Sequence, residues 1–247
     1  MKVSPYQPTY TEMQAQTLAR LIGFIFIIMF FLGIFAEGIV RAQLINLEEP
    51  LLTLANVQRT PVLFQLGILA WIIITLLDAV LAVAFYVLLQ PVHAPLAILM
   101  ASLRLVYVAV KGVSVAGLLV ASDVYASAVG LEASQTGALA TQAMLFLKMH
   151  HYGFGIGLIF FGFHLILLAI LLHKADRVTN WMVGLMLVAG IGYIMNSLVS
   201  FLPADFDLLR TWTIALFIMP MTFAELSFGL WLWLRYKRSA MVPGSSV

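Results

Sequence analysis

The chain has 247 residues, of which 63% are hydrophobic and 10% charged, with a formal net charge of +2; an ordinary soluble domain is roughly 25% charged. No water-soluble fold hides that much apolar surface, and so small a positive charge gives no reason to expect nucleic acid as a partner. A chain without cysteine has no disulfide, thiolate metal site or cysteine nucleophile.

A mostly polar lead, 1–17, is followed by the first apolar segment, 18–41. No small-residue cleavage pattern follows a short apolar region, so this segment reads as a retained helix and not as a signal peptide. The loop 42–61 carries Pro50 and Pro61 and has room for a short surface helix over 51–57. Segments 62–89 and 95–121 are joined by Gln90-Pro91-Val92-His93-Ala94-Pro95, where two prolines stop one helix and start the next. The longest loop, 122–144, is rich in alanine, serine and glycine, and 139–145 already reads as the start of the fourth helix. Segments 145–172, 180–202 and 209–235 complete the set, and 236–247 is a tail. Each segment is close to the ~20 residues that cross ~30 Å of hydrocarbon. The expected fold is therefore all-α: one polytopic transmembrane helical bundle of six helices over 18–235, with the lipid bilayer as its surroundings. The short connections leave no room for a soluble catalytic domain. Three helices in each half would allow an inverted repeat, but the halves share no residue pattern.

Basic residues set the orientation. With the N-terminus inside, the inner side holds Lys2, Arg20, Lys174, Arg177, Arg235, Lys237 and Arg238, and the outer side Arg41, Arg59, Lys148 and Arg210. Both termini are thus expected in the cytoplasm. Trp181, Trp212 and Tyr236 fall near span ends, where interfacial aromatics belong.

Several polar groups lie within these segments, although a charge at the centre of a membrane helix costs about 2.5–3.5 kcal/mol even on the lenient scale. They are Glu37, Asp78, Arg104, Lys111, His150, His151, His164 and Glu225, with Asn196 as a neutral companion. A rise of ~1.5 Å per residue puts Asp78, Arg104, His164 and Glu225 in an inner layer, roughly 12–17 Å from the inner edge. Glu37, Lys111, His150, His151 and Asn196 form an outer layer. Arg104 and Lys111 are seven apart and share a face with Tyr107 and Ser114; His150, Gly157 and His164 are also spaced by seven, with Gly153 on the same side. The bare middle of that second stripe allows close approach by a helix or a ligand. Glu37 can pair with Arg41, four residues on. Arg104 is expected to pair with Asp78, Glu225 or both. Counting only the deep groups, Glu37, Asp78 and Glu225 oppose Arg104 and Lys111, which makes Glu225 the odd carboxylate, five residues after Pro220. His93 and His173, at the inner boundary, carry no expected role.

The runs Arg104-Leu-Val-Tyr107 and Val110-Lys111-Gly112-Val-Ser114 precede His150-His151-Tyr152-Gly153-Phe154, Gly157 to Phe161, and Gly162-Phe-His164-Leu165. Gly190-Ile-Gly192-Tyr193 and Ala224-Glu225-Leu226-Ser227 follow. Together these resemble the bacterial membrane-protein family catalogued as domain of unknown function 4386, over nearly the whole chain and most specifically in the fourth helix. The resemblance implies a multi-pass protein of the bacterial cytoplasmic membrane; it carries over no activity, cofactor or catalytic residue.

Neither H-E-x-x-H, nor a Walker glycine loop, nor G-x-S-x-G occurs. His150 and His151 point about 100° apart on a helix and make a poor metal pair, and His150 and His164 lie ~21 Å apart, too far to share a haem iron. No metal site is expected, and no cofactor is identified. Three functions fit the residues. The first is binding or transport of a small polar or anionic ligand at an outward-facing pocket formed by Glu37, Lys111, His150 and Asn196. The second is a structural or accessory subunit whose ion pairs only fix helix packing. The third is a membrane enzyme using histidine and glutamate, with or without a metal.

Overall fold

The computed structural model describes residues 12–175 and 178–235. Lys2, Arg177, Tyr236, Lys237 and Arg238, most of the lead and the whole tail lie outside the described residues. Every regular element among the described residues is helical: α1 (Glu12–Gly33), a π-helix (Ile34–Arg41), α2 (Ala42–Leu44), α3 (Pro50–Arg59), α4 (Pro61–Ser127), α5 (Ala133–Lys174), α6 (Asn180–Ser200), a 3-10 turn (Ala204–Phe206) and α7 (Asp207–Arg235).

Five stretches are long and apolar enough to cross a membrane: Met13–Leu44, Pro61–Ser127, Ala133–Lys174, Asn180–Ser200 and Asp207–Leu234. The expectation of six differs only in α4. Its 67 residues would measure about 100 Å if straight, some three bilayer thicknesses. The helix is interrupted at His93, whose backbone is extended (φ −162°, ψ 93°) between Pro91 and Pro95. Pro91 lacks an N–H and Pro95 disfavours helical geometry just before it, so the break falls between them. His93, expected to be idle, caps the second half: its Nδ1 accepts a hydrogen bond from the Leu96 N–H at 3.3 Å, as an N-cap side chain does.

The loop after the first span holds α3, Pro50–Arg59, slightly longer than the expected 51–57. Proline at its first turn suits a helix start. Thr53, fully buried, locks the approach: its Oγ1 accepts from the Asn46 N–H at 2.9 Å and donates to the Asn46 carbonyl at 2.8 Å. Leu54 and Val57 point into an apolar core with Phe64, Leu118, Tyr125 and Leu147. α5 begins at Ala133, so most of the expected 122–144 loop is helix; the turn before it contains Gly130 at φ 79°, a left-handed conformation that glycine adopts without strain.

The chain divides into two compact units. The first takes in the described parts of Met1–Ile27, Val80–Leu105 and Ile159–Val247. Its core includes Phe26, Phe85 and Phe228, with ring centroids 5.8–6.4 Å apart. α5 and α6 touch backbone to backbone at Gly162 and Gly190, where a Cβ on either would stand 2.6–2.8 Å from the other's carbonyl oxygen. Small residues permit such approach, which is how membrane helices gain packing without a hydrophobic drive. The second unit is Ile28–Ala79 with Val106–Leu158. Large apolar side chains such as Leu66, Leu76, Val113 and Leu216 are exposed along the long helices, as expected of surfaces facing lipid and not water.

Candidate functional site

In the first unit Arg104 is wholly buried. Its Nη1 donates to His164 Nε2 at 3.0 Å and stands 3.8 Å from Glu225 Oε1. His164 Nδ1 lies 2.9 Å from the Met100 carbonyl oxygen. A carbonyl only accepts and a guanidinium only donates, so this imidazole is neutral, with its proton on Nδ1. Phe26, Phe85 and Phe161 surround the guanidinium at 5.3–5.8 Å from each ring centroid, which favours the cation through the ring quadrupoles.

In the second unit Lys111, also wholly buried, donates to Asp78 Oδ2, and its amine lies 4.5 Å from the Tyr107 ring centroid. The depth estimate assigns Asp78 and Lys111 to different layers, yet they meet. Asp78 stands 15 residues before His93 and Lys111 18 after it, a difference of only about 4.5 Å in height, which a four-carbon lysine stem spans.

The π-helix carries Glu37 and Arg41, whose side chains are about one-third exposed and lie 3.6 Å apart from Oε2 to Nε. The widened turn shows at its end, where the Ala42 N–H reaches the Glu37 carbonyl five residues back. Arg41 Nη2 also donates to His151 Nδ1 at 3.5 Å. Glu225 is therefore not an odd carboxylate: Arg41, set aside in the sequence count as an outer-flank residue, lies inside the continuous helical stretch and faces Glu37, so three carboxylates meet three cations.

Beside this pair is a small open cleft, with about 20 Å³ of room for a water-sized molecule, lined by Ala36, Val40, Arg41, Ile45, Phe64, Gly67, Ile68, Trp71, Leu118 and His150. Only Arg41 and His150 bring ionisable groups to it. His150 is buried; its Nδ1 donates to the Ser114 carbonyl at 3.2 Å, and its ring stacks on Phe154 and meets Trp71 edge-on. The glycine stripe beyond it is occupied by helix: Tyr107 packs at Gly157 and Ser114 at Gly153.

Of the four residues expected to form a pocket, Glu37, Lys111 and His150 belong to the second unit and Asn196 to the first. His150 lines the cleft and Glu37 holds the arginine that lines it, whereas the amine of Lys111 is engaged by Asp78. Arg41 and Trp71 were missed as cleft residues. Arg41 was visible through its spacing from Glu37; Trp71 carried no signal, being one aromatic among many apolar neighbours. Among the described residues no three of His, Asp and Glu converge closely enough to hold a metal ion.

A protein of Archaeoglobus fulgidus described as uncharacterized is 30% identical over 129 residues, 52% of this chain and 64% of that protein, so the chain spans somewhat less than two thirds of that relative's length. No solved structure matches. The family model for the domain of unknown function DUF4386 matches residues 21–235, nearly all the described helical part, and the chain belongs to that family.

Proposed function

We propose that the chain is a six-span protein of the bacterial cytoplasmic membrane, with both termini inside, that binds a small molecule bearing an anionic group in the cleft beside Arg41 and His150. Six spans follow from counting the two halves of α4 separately, since each exceeds the ~20 residues needed. The orientation rests on the basic-residue asymmetry.

One observation carries the binding reading: among the three cations, Arg41 is the one that lines a cleft while remaining about one-third exposed. Lys111 and Arg104 are fully buried and serve the packing reading, in which paired charges fix how helices meet. Arg41 uses its Nε toward Glu37 and one Nη2 hydrogen toward His151, and a guanidinium has five N–H groups, so donors remain for a ligand. Lys111 and Asp78 then brace the adjoining helix, and Asn196 has no part in this cleft.

The test is thermal stability of the protein in lipid nanodiscs across a panel of small anions. A ligand that binds only the native state raises stability with its concentration. Stabilisation in the wild type that vanishes in Arg41→Gln supports the reading; equal stabilisation in both refutes it.

A further inference from the structure

We infer that the cleft binds its anion together with a proton: His150 takes up one proton on Nε2 for each anion that Arg41 receives. This rests on the anion-binding reading above and adds how that binding is regulated. The cleft has about 20 Å³ of room for a water-sized molecule, and one water needs about 10–15 Å³. A single acceptor atom of the ligand therefore fills it, a halide ion or one carboxylate oxygen, and whatever else the ligand carries stands in the open mouth. Glu37 and His151 hold the guanidinium of Arg41 from the sides at 3.6 and 3.5 Å, so the first donor to that atom is oriented before any ligand arrives.

The tautomer of His150 calls for the proton. A carbonyl only accepts, so the nitrogen facing the Ser114 carbonyl, Nδ1, carries the hydrogen, and Nε2 is the nitrogen with which His150 meets a ligand in the cleft it lines. The partners of the buried ring are Ser114, Trp71 and Phe154, none of them charged. A second cation beside Arg41 in such surroundings is unfavourable, so the ring is neutral before binding and Nε2 bears a lone pair. A donor at Arg41 and an acceptor at Nε2 suit a water molecule, which accepts from one and donates to the other. An anion has no hydrogen to give and is repelled by the lone pair. Once protonated, the same nitrogen donates to the anion, and the bond to Ser114 is kept because Nδ1–H is unchanged.

The charges of this unit call for it as well. Glu37 and Arg41 cancel, as do Asp78 and Lys111. His151 accepts from Arg41 through Nδ1 and is therefore neutral, and Lys148, two positions before His150, lies about 200° round the helix from it. An anion alone leaves one uncompensated negative charge against walls of which eight residues in ten are apolar. An anion with a proton on His150 leaves none, and it is the uncompensated charge that apolar surroundings penalise most.

Calorimetric titration of formate into the protein in nanodiscs of zwitterionic lipid, repeated in two buffers of different ionisation enthalpy, counts the protons taken up. About one proton per formate is expected, with Kd rising about tenfold for each unit of pH from about 6 to 8, where formate itself stays ionised. Fluoride, a single atom, should give the same count. His151→Gln should still take up about one proton and His150→Gln none, with melting temperatures keeping a folding defect apart from a lost proton site. Should His150→Gln fail to fold, the infrared difference spectrum of the wild type on adding fluoride locates the proton: a histidine change without a protonated carboxyl band is expected, and such a band would place the proton on a carboxylate such as Glu37 and overturn the inference. Uptake that persists in His150→Gln, or disappears in a folded His151→Gln, overturns it too. Binding that is lost in Arg41→Gln yet takes up no proton and ignores pH refutes the coupling and leaves the anion site standing. Failure of formate, fluoride and chloride to bind at any of these pH values refutes both.

Discussion

Asp78 and Lys111, thirty-three positions apart on the two halves of α4, form a fully buried ion pair because the chain reverses at His93 and returns the lysine to the aspartate. A pair in low dielectric is held by its partner and not by solvent. Removing one charge strands the other: Lys111→Met should cost about 3–5 kcal/mol, and the double change Lys111→Met with Asp78→Leu should cost much less. Equilibrium unfolding in mixed micelles measures both. Additive losses would mean that the two groups do not act as a pair.

Arg104 makes a second such centre but a less interchangeable one. Its planar guanidinium serves His164, approaches Glu225 and lies among three phenyl rings. A lysine there cannot reproduce a fork of donors or the stacking. Arg104→Lys should therefore lower stability by about 1–3 kcal/mol although charge is kept, and His164→Phe by a similar amount, since it removes the acceptor of the buried Arg104 Nη1 and the hydrogen bond to the Met100 carbonyl. Unfolding midpoints of the two single variants provide the check; an Arg104→Lys protein as stable as wild type would contradict the account.

Gly162 and Gly190 face each other across α5 and α6. Either change to Ala drives a methyl group into backbone that cannot yield cheaply, with an expected loss of about 1–3 kcal/mol. Gly184, on α6 with open space around it, should accept Ala without loss and with a small gain in helix propensity. Melting temperatures of the three variants, compared in one lipid, decide the point.

Orientation gives a test independent of stability. Reporters fused to either terminus should be active only on the cytoplasmic side, and a cysteine placed at Ser127 should react with an impermeant reagent from outside. A C-terminal reporter found outside would overturn both the span count and the side to which the cleft opens.

Much of the helical frame was legible because apolar runs of spanning length have few alternatives, and the prolines at 91 and 95 marked the reversal at His93. The pairing was only half legible. Depth from helical rise placed Asp78 and Lys111 in separate layers, since a sharp boundary ignores side-chain reach; residue spacing did identify Glu37 with Arg41, and charge placed Glu225 among the partners of Arg104. The π-turn left no mark in the sequence, because the apolar run around Ile34–Arg41 reads the same as it would in an α-helix. The cleft was hidden for the same reason: its walls are ordinary apolar residues, and only their arrangement around Arg41 distinguishes them.

On the binding proposal, Arg41 presents a usable positive charge to an open cleft while Lys111 does not. Isothermal titration of a small carboxylate into nanodisc-held wild type, Arg41→Gln and the apolar Lys111→Met, Asp78→Leu double variant measures this most directly. Saturable binding is expected in the wild type, retained in the double variant and lost in Arg41→Gln. Binding that survives in Arg41→Gln but disappears in the double variant would contradict it and return the site to Lys111.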